Sequence, residues 1–378
     1  MRRRPHMPRA QRLCCMLVFV PLACSEPQSS GVPSPPPQQP PAISAGAAGL
    51  PPASAPSAGA SGQPNIAGQS GSSSAGSSSQ PMQPPPNSEP MPPMQDAGAM
   101  PSDASMQPPT VCPETVLGAG DHRESLRHGE RDRAYIVHVP AAVVPGEARP
   151  LVVDFHGYSS SASGQQRASG WQAIADRERF IAVYPEGVGS SWNVGDNCCG
   201  TAGTQDVDDI DFVRALVEEV AGKVCIDPAR IYASGISNGG GFVHRLGCEA
   251  ADLFAAVAPV STDLRTQPCT PERPISVIAF RGTTDFLEPY EGGEVGPPGM
   301  TFTSPGAKGS LELWRAIDGC TGTPAMNALY CETYSACAQG VEVTLCSLPN
   351  VGHVPYGNAL DFDVAQAAWE MFQRQPKR

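Results

Sequence analysis

Ala229-Arg230-Ile231-Tyr232-Ala233-Ser234-Gly235-Ile236-Ser237-Asn238-Gly239-Gly240 decides the fold. Ala229 to Ala233 reads as a short buried strand, and Gly240 to Leu246 reads as the start of a helix. Between them, Gly235 to Gly239 has the form Gly-x-Ser-x-Gly. A turn this tight leaves no room for side chains on either flank of the serine, so glycines stand there. The turn lifts the Ser237 hydroxyl clear of the sheet, where a base and a substrate can both reach it. Strand, sharp turn and helix together make a nucleophile elbow.

An elbow of this kind belongs to the α/β-hydrolase architecture, in which an acid and then a histidine follow the serine along the chain. Of seven histidines, only His244 and His353 follow Ser237. His244 falls two turns into the helix after the elbow and points along it. His353 follows the strand-like run Val341-Glu342-Val343-Thr344-Leu345, on a loop where the fold needs its base. The acid should follow the preceding strand, Pro274 to Phe280. Asp285, in Arg281-Gly282-Thr283-Thr284-Asp285, fits, with Glu288 as the runner-up. Its task is to hold the His353 tautomer and stabilise the imidazolium.

Two backbone N–H groups are needed for the oxyanion. One is expected from Asn238, the residue after the serine. The other is expected from Tyr158, because Leu151 to Phe155 reads as a buried strand running into His156-Gly157-Tyr158. His156 itself reads as structural.

Residues from about 112 to 375 resemble the secreted esterase family that joins poly(3-hydroxybutyrate) depolymerases with feruloyl and acetylxylan esterases. The resemblance is carried by Arg133 to Pro140, His156-Gly157, Ser191-Trp192-Asn193 leading to Cys198-Cys199-Gly200, and Val207 to Phe212. It continues in the elbow, Gly282 to Asp285, Tyr290-Glu291-Gly292-Gly293 and Gly352-His353. The Trp-Asn, Cys-Cys-Gly and Asp-Asp block is far more specific than the elbow. The family's Ser, Asp and His fall on Ser237, Asp285 and His353. Two departures stand out. Arg281 replaces the histidine common before the family's Gly-Thr, and no tryptophan follows His353, where Val354-Pro355-Tyr356-Gly357 stands.

The rest of the chain divides by composition. Arg2, Arg3, Arg4, Arg9 and Arg12 precede an apolar run, Leu13 to Ala23, which ends at Cys24. Residues 1–24 thus read as an export signal. Val20-Pro21-Leu22-Ala23-Cys24 looks like a lipoprotein cleavage site, with Cys24 as the lipidation site; plain secretion is the alternative. Residues 25–108 are almost wholly Pro, Ser, Gly, Ala and Gln, without lysine, arginine or aromatic residues. Such a segment buries too little to offset its ordering entropy and should be a disordered linker. As a flexible coil it would span on the order of 50 Å, enough to let a tethered domain sweep a polymer. Residues 109–378 form one esterase domain.

Ten of the thirteen cysteines lie in that domain: Cys112, Cys198, Cys199, Cys225, Cys248, Cys269, Cys320, Cys331, Cys337 and Cys346. An even set in an exported domain predicts five disulfides. Cys198 and Cys199, being adjacent, are expected to bond elsewhere rather than to each other. No C-x-x-C pairs with histidines occur, so no metal is expected. Without the signal arginines and the linker acids, 20 basic and 33 acidic residues remain, a net charge near −13. That argues against nucleic acid and against anionic lipid surfaces; a membrane is reached only through a lipid anchor. Oligomeric state is left open.

Strands are expected near 134–139, 150–155, 180–184, 229–233, 255–260, 274–280 and 341–346, with helical patterns between them. One helix runs from Asp206 with Ile210, Val213, Val217 and Val220 on one face, and a last one carries Val364, Ala368, Trp369 and Phe372. This is an α/β fold, an α/β-hydrolase with a mostly parallel sheet and helices on both faces. The resemblance implies a serine esterase without cofactor, acting on ester substrates linked to a polymer. Feruloyl or acetyl esters of plant-wall xylan are favoured over polyhydroxybutyrate. Trp192, Tyr290 and Tyr356 are the substrate-binding candidates, lining a cleft or packing internally. The location is extracellular or at the cell surface, as an outer-membrane lipoprotein if Cys24 carries lipid. A reading of another class is a non-catalytic surface lipoprotein on a hydrolase fold.

Overall fold

The computed structural model describes residues 112–114, 117–144, 146–195, 198–296, 302–327 and 329–377. The export signal with Cys24 and the linker lie outside the described residues.

The strands are β1 (Gly120–His128), β2 (Arg131–Val139), β3 (Arg149–Phe155), β4 (Ile181–Pro185), β5 (Ile226–Ile236), β6 (Ala256–Val260) and β7 (Ser276–Gly282). A short hairpin, β8 (Gly293–Val295) and β9 (Phe302–Ser304), precedes β10 (Ala325–Met326), β11 (Cys331–Tyr334) and β12 (Val343–Leu348). The helices are α1 (Ala162–Ala168), α2 (Trp171–Glu178), α3 (Gly200–Thr204), α4 (Asp209–Ala221), α5 (Asn238–Glu249), α6 (Gly306–Ile317) and α7 (Val364–Arg374).

Ten strands form one sheet in the order β1-β2-β4-β3-β5-β6-β7-β12-β11-β10. The central run from β4 to β12 is parallel, and antiparallel strands close each side. The parallel strands are near-continuous apolar runs because helices cover both faces. Their period of two divides the core. Leu151, Val153, Ala233, Val257 and Val277 meet Phe212 of α4, Phe242 of α5 and Trp314 of α6. Val152, Ala182, Tyr232, Ala256 and Ile278 face the opposite way, toward Trp171 of α2 and Trp369 of α7. There Trp369 stacks on Phe180 at 4.2 Å and Phe372 on Tyr232 at 4.5 Å.

All seven expected strands are present. The helix expected from Asp206 begins three residues later, at Asp209, because the Asp208 carboxylate caps it by accepting from Asp211 N at 3.0 Å. β1 went unread because Gly120-Asp121-His122-Arg123-Glu124-Ser125-Leu126-Arg127-His128 is polar apart from Gly120 and Leu126. It forms through its antiparallel pairing with β2 on the sheet edge.

Five disulfides join the ten cysteines: Cys112–Cys225, Cys198–Cys199, Cys248–Cys269, Cys320–Cys337 and Cys331–Cys346. The expectation for Cys198 and Cys199 is corrected, since they bond to each other. The peptide between them is cis, with the two Cα atoms 3.0 Å apart.

Candidate active site

The carboxyl ends of β3, β5, β7 and β12 open on one edge of the sheet, and each delivers a residue of the site. β5 ends at Ile236, and α5 begins at Asn238. Ser237 between them has φ 57° and ψ −120°, the reversal that turns strand into helix. Ser237 N donates to Val260 O of β6 at 2.8 Å, and Gly241 N donates to Ser237 O at 2.8 Å. A Cβ on Gly235 would stand 2.8 Å from Phe155 O, and one on Gly239 would run into the carbonyls of Phe155 and His156. Both flanking glycines are therefore required by the close approach of β3.

Asp285 and His353 lie 68 residues apart and meet because two loops are tied together. Thr283 N donates to Leu348 O, and both the N–H and the hydroxyl of Thr284 donate to Val351 O, all at 3.0 Å. Asp285 Oδ1 accepts from Leu287 N at 2.9 Å and Glu288 N at 3.0 Å. Oδ2 is left for His353 Nδ1 at 2.8 Å. The Asp285 side chain is fully buried, while that of His353 keeps 12% of its surface. Glu288, the runner-up acid, is paired with Arg265 instead. His244 is buried in the core, where its Nδ1 accepts from Trp314 Nε1 at 3.0 Å; burial lowers its pKa to about 3.

Two clefts meet at Ser237. The larger, about 580 Å³, has apolar walls from Val194, Phe286, Val295 and Phe302, with the Cys198–Cys199 pair on another side. The smaller, about 380 Å³, is lined by Ile236, Gln165 and Tyr356 among others. Tyr158, Ser237, Leu287 and His353 border both. Asn238 is the first residue of α5, so its N–H has no partner within the helix. Gly157 brings the Tyr158 loop against the elbow, where a Cβ would lie 3.5 Å from Ser237 Cβ.

The three aromatic candidates separate. Tyr356 lines the smaller cleft, where its hydroxyl accepts from Gln165 Nε2 at 3.3 Å. Trp192 is corrected: it is wholly buried, stacked on Phe242 with centroids 5.4 Å apart, and lines neither cleft. Its Nε1–H donates to His156 O at 3.0 Å. Tyr290 is corrected too, because its hydroxyl is held by Ser347 Oγ at 2.6 Å and its ring packs on the core. The Asp-Asp block explains why Trp192 sits so firmly. Asp209, ion-paired with Arg133 at 2.8 Å, accepts from Asn193 N at 2.9 Å, and Asn193 Nδ2 donates to Asp206 at 3.0 Å.

Phe286, Phe302 and Val194 were missed as cleft residues. Phe286 could have been suspected, since it follows Asp285 directly; in the structure it is 80% exposed. Phe302 gave no signal, as its hairpin is only three residues a strand. Asp154, buried beneath the smaller cleft, takes Gln165 Nε2 at 3.0 and 3.1 Å, and burial raises its pKa to about 7. Among the described residues no cluster of three or more His, Cys, Asp or Glu is placed to hold a metal ion.

Residues 133–266 match the family described as esterase PHB depolymerase. Feruloyl esterase B of Piromyces equi is 36% identical over 243 residues, which are 61% of this chain and 44% of that protein. Poly(3-hydroxyalkanoate) depolymerase C of Paucimonas lemoignei is 30% identical over 128 residues, 33% of this chain and 30% of that protein. The chain thus spans less than half the length of either curated relative. Among solved structures, an acetyl xylan esterase from Aspergillus awamori aligns with 68% of this chain and 99% of its own. Its TM-score is 0.50 at 13% identity, a likeness of fold alone.

Proposed function

We propose that this chain, whose residues 133–266 belong to the PHB depolymerase esterase family, is a serine carboxylic-ester hydrolase with Ser237 as nucleophile. The observation that carries the reading is the 2.8 Å pairing of His353 with Asp285, on the border of the two clefts that also meet at Ser237. His353 Nε2 takes the serine proton as the oxygen attacks the ester carbonyl, then gives it to the leaving alcohol. Asp285 accepts from Nδ1–H and so leaves Nε2 free to accept. The N–H groups of Asn238 and Tyr158 receive the oxyanion. A water activated by His353 then releases the acid, and no cofactor takes part.

The substrate we assign is an aryl ester of the feruloyl type, carried on plant-wall xylan. Similarity to feruloyl esterase B supports it, as do Phe286 and Phe302 on the larger cleft, which suit a planar acyl group through stacking. The domain works outside the cytoplasm, where its disulfides persist, on a lipid anchor at Cys24. The test is a panel of methyl ferulate, acetylated xylan and hydroxybutyrate trimer, run with Ser237→Ala alongside. Methyl ferulate should have the highest kcat/KM, and Ser237→Ala should lose about 10⁴-fold or more. Hydroxybutyrate turned over about ten times better than every other ester would replace the feruloyl reading with a polyester depolymerase. A fully active Ser237→Ala would end the serine mechanism.

A further inference from the structure

We propose that His156 is a positioning residue for the oxyanion site: its Nδ1–H holds the Gly157 carbonyl and thereby aims the Tyr158 N–H. The inference rests on the serine-esterase reading above and adds to it the part that sets the direction of one donor.

His156 follows the end of β3 and is fully buried. Gly187 N donates to its Nε2 at 3.0 Å. A backbone N–H can only donate, so Nε2 carries no proton and the ring proton sits on Nδ1. Nδ1 lies 2.8 Å from Gly157 O and donates to it. Burial pushes the imidazole pKa below its ordinary value, which favours the neutral ring that both bonds require.

Gly157 C=O and Tyr158 N–H belong to one peptide unit. That unit is planar and trans, so its C=O and N–H point in opposite directions. Holding the carbonyl from behind therefore aims the N–H forward. Ser160 N also donates to Gly157 O, at 3.1 Å, and the two donors fix the plane better than one.

The same frame reaches the second oxyanion donor. Trp192 Nε1 donates to His156 O at 3.0 Å. The Trp192 backbone is gripped on both sides by the Asn238 side chain, whose Oδ1 accepts from Trp192 N at 2.7 Å and whose Nδ2 donates to Trp192 O at 3.0 Å. Tyr158 and Asn238, eighty positions apart in the sequence, are thus joined through His156 and Trp192.

The test compares His156→Asn with His156→Gln. Asn Nδ2 falls where Nδ1 stood and keeps the donor to Gly157 O while losing the acceptor for Gly187 N. Gln reaches the Nε2 position and does the reverse. Each loses one hydrogen bond, so their thermal midpoints should fall alike. On p-nitrophenyl acetate, the Gln variant should lose about 10- to 100-fold in kcat at unchanged KM, and the Asn variant no more than about 5-fold. Phenylboronic acid, whose serine adduct mimics the tetrahedral oxyanion, should weaken for the Gln variant by the same factor as kcat. Equal losses in the two variants, or unchanged boronate affinity in the Gln variant, would overturn the proposal. Trp192→Phe, which removes the donor to His156 O along with part of the buried ring, serves if neither variant folds, with its thermal midpoint measured to register the packing loss. It should lower kcat several-fold at constant KM, and wild-type kcat would count against the frame. Equal Asn and Gln losses with an inactive Ser237→Ala sink the positioning role alone. A fully active Ser237→Ala sinks the serine reading and this role with it.

Discussion

Asp285→Asn separates the orientation of His353 from its mere proximity. Asp285 Oδ1 accepts two backbone N–H groups, from Leu287 at 2.9 Å and Glu288 at 3.0 Å, and Oδ2 accepts from His353 Nδ1 at 2.8 Å. An amide has one accepting end. Turning its NH₂ toward Leu287 and Glu288 would oppose donor to donor twice, so the oxygen must stay there. The NH₂ then faces His353 and donates to Nδ1. The imidazole proton is driven to Nε2, the atom that has to accept from Ser237. The expected loss in kcat is about 10⁴-fold, or about 5.5 kcal/mol at about 1.4 per decade. Asp285→Ala removes the misdirected donor but strands both backbone N–H groups in a fully buried place. It should be less stable than the Asn variant by about 1–3 kcal/mol, yet no less active. Kinetics on p-nitrophenyl acetate and thermal midpoints of the two variants give the measurement. An Asn variant that kept more than about a tenth of wild-type kcat would refute the tautomer argument and Asp285 as the acid.

Glu288→Gln should keep kcat within about 5-fold, since Glu288 pairs with Arg265 and not with His353; a loss as deep as that of Asp285→Asn would exchange the two acids. Thiol titration of the denatured, unreduced domain should find the ten cysteines blocked, and four or more free thiols would break the pairing described. Asp154 has its folded pKa raised to about 7 by burial, above its unfolded value of about 3.9. The folded state therefore binds the extra proton between these values, and its contribution to stability is full below about pH 4 and lost as pH rises to about 7. Asp154→Asn should remove that part of the pH dependence, and identical stability profiles for both proteins from pH 4 to 8 would contradict it. Cys24→Ser should release the enzyme from the membrane with unchanged specific activity, whereas wild-type protein with an unlipidated N-terminus would favour plain secretion.

How far the sequence carried the structure follows from where each signal resides. The parallel strands were legible because burial on both faces makes them apolar without interruption, as in Leu151-Val152-Val153. Gly235 and Gly239 were legible because a glycine at a close backbone approach leaves a mark that no other residue can replace. Chain order after the elbow singled out Asp285 and His353, and the two side chains meet at 2.8 Å. The aromatic residues were not legible in the same way. A tryptophan stacked on Phe242 and a tryptophan lining a cleft are the same letter, and only the depth of the side chain separates them. Trp192 packs behind the His156-Gly157-Tyr158 loop, whereas the exposed Phe286 belongs to the larger cleft. The Cys198–Cys199 bond escaped for a related reason. The expectation assumed ordinary backbone geometry, and the peptide between them is cis.

Arg281 stands before Gly-Thr, where the esterase family that the sequence resembles often has histidine, and its surroundings show what it holds. The guanidinium is fully buried and ion-paired with Asp263, and its Nη2 donates to Glu288 O at 2.6 Å. The second oxygen of Asp263 accepts from Ser304 Oγ of β9 at 2.5 Å. Arg281 and Asp263 together thus bind the loop after β6, the loop that carries Asp285, and the hairpin that carries Val295 and Phe302. Burying such a pair is costly unless both partners are hydrogen-bonded around, and here the carbonyl of Glu288 and the hydroxyl of Ser304 supply those bonds. Burial still lowers the arginine pKa, to about 10, which leaves it charged at neutral pH. The Asp285 carboxylate receives its bonds from Leu287, Glu288 and His353, and the Glu288 residue in that set is itself held at its carbonyl by Arg281, whose charge also acts on Asp285. Arg281 therefore bears both on a wall of the larger cleft and on the loop that carries Asp285. Differences in substrate between this chain and its relatives should accordingly be sought in the segments that the Arg281–Asp263 pair joins, 285–289, 293–296 and 302–304, before they are sought around Ser237.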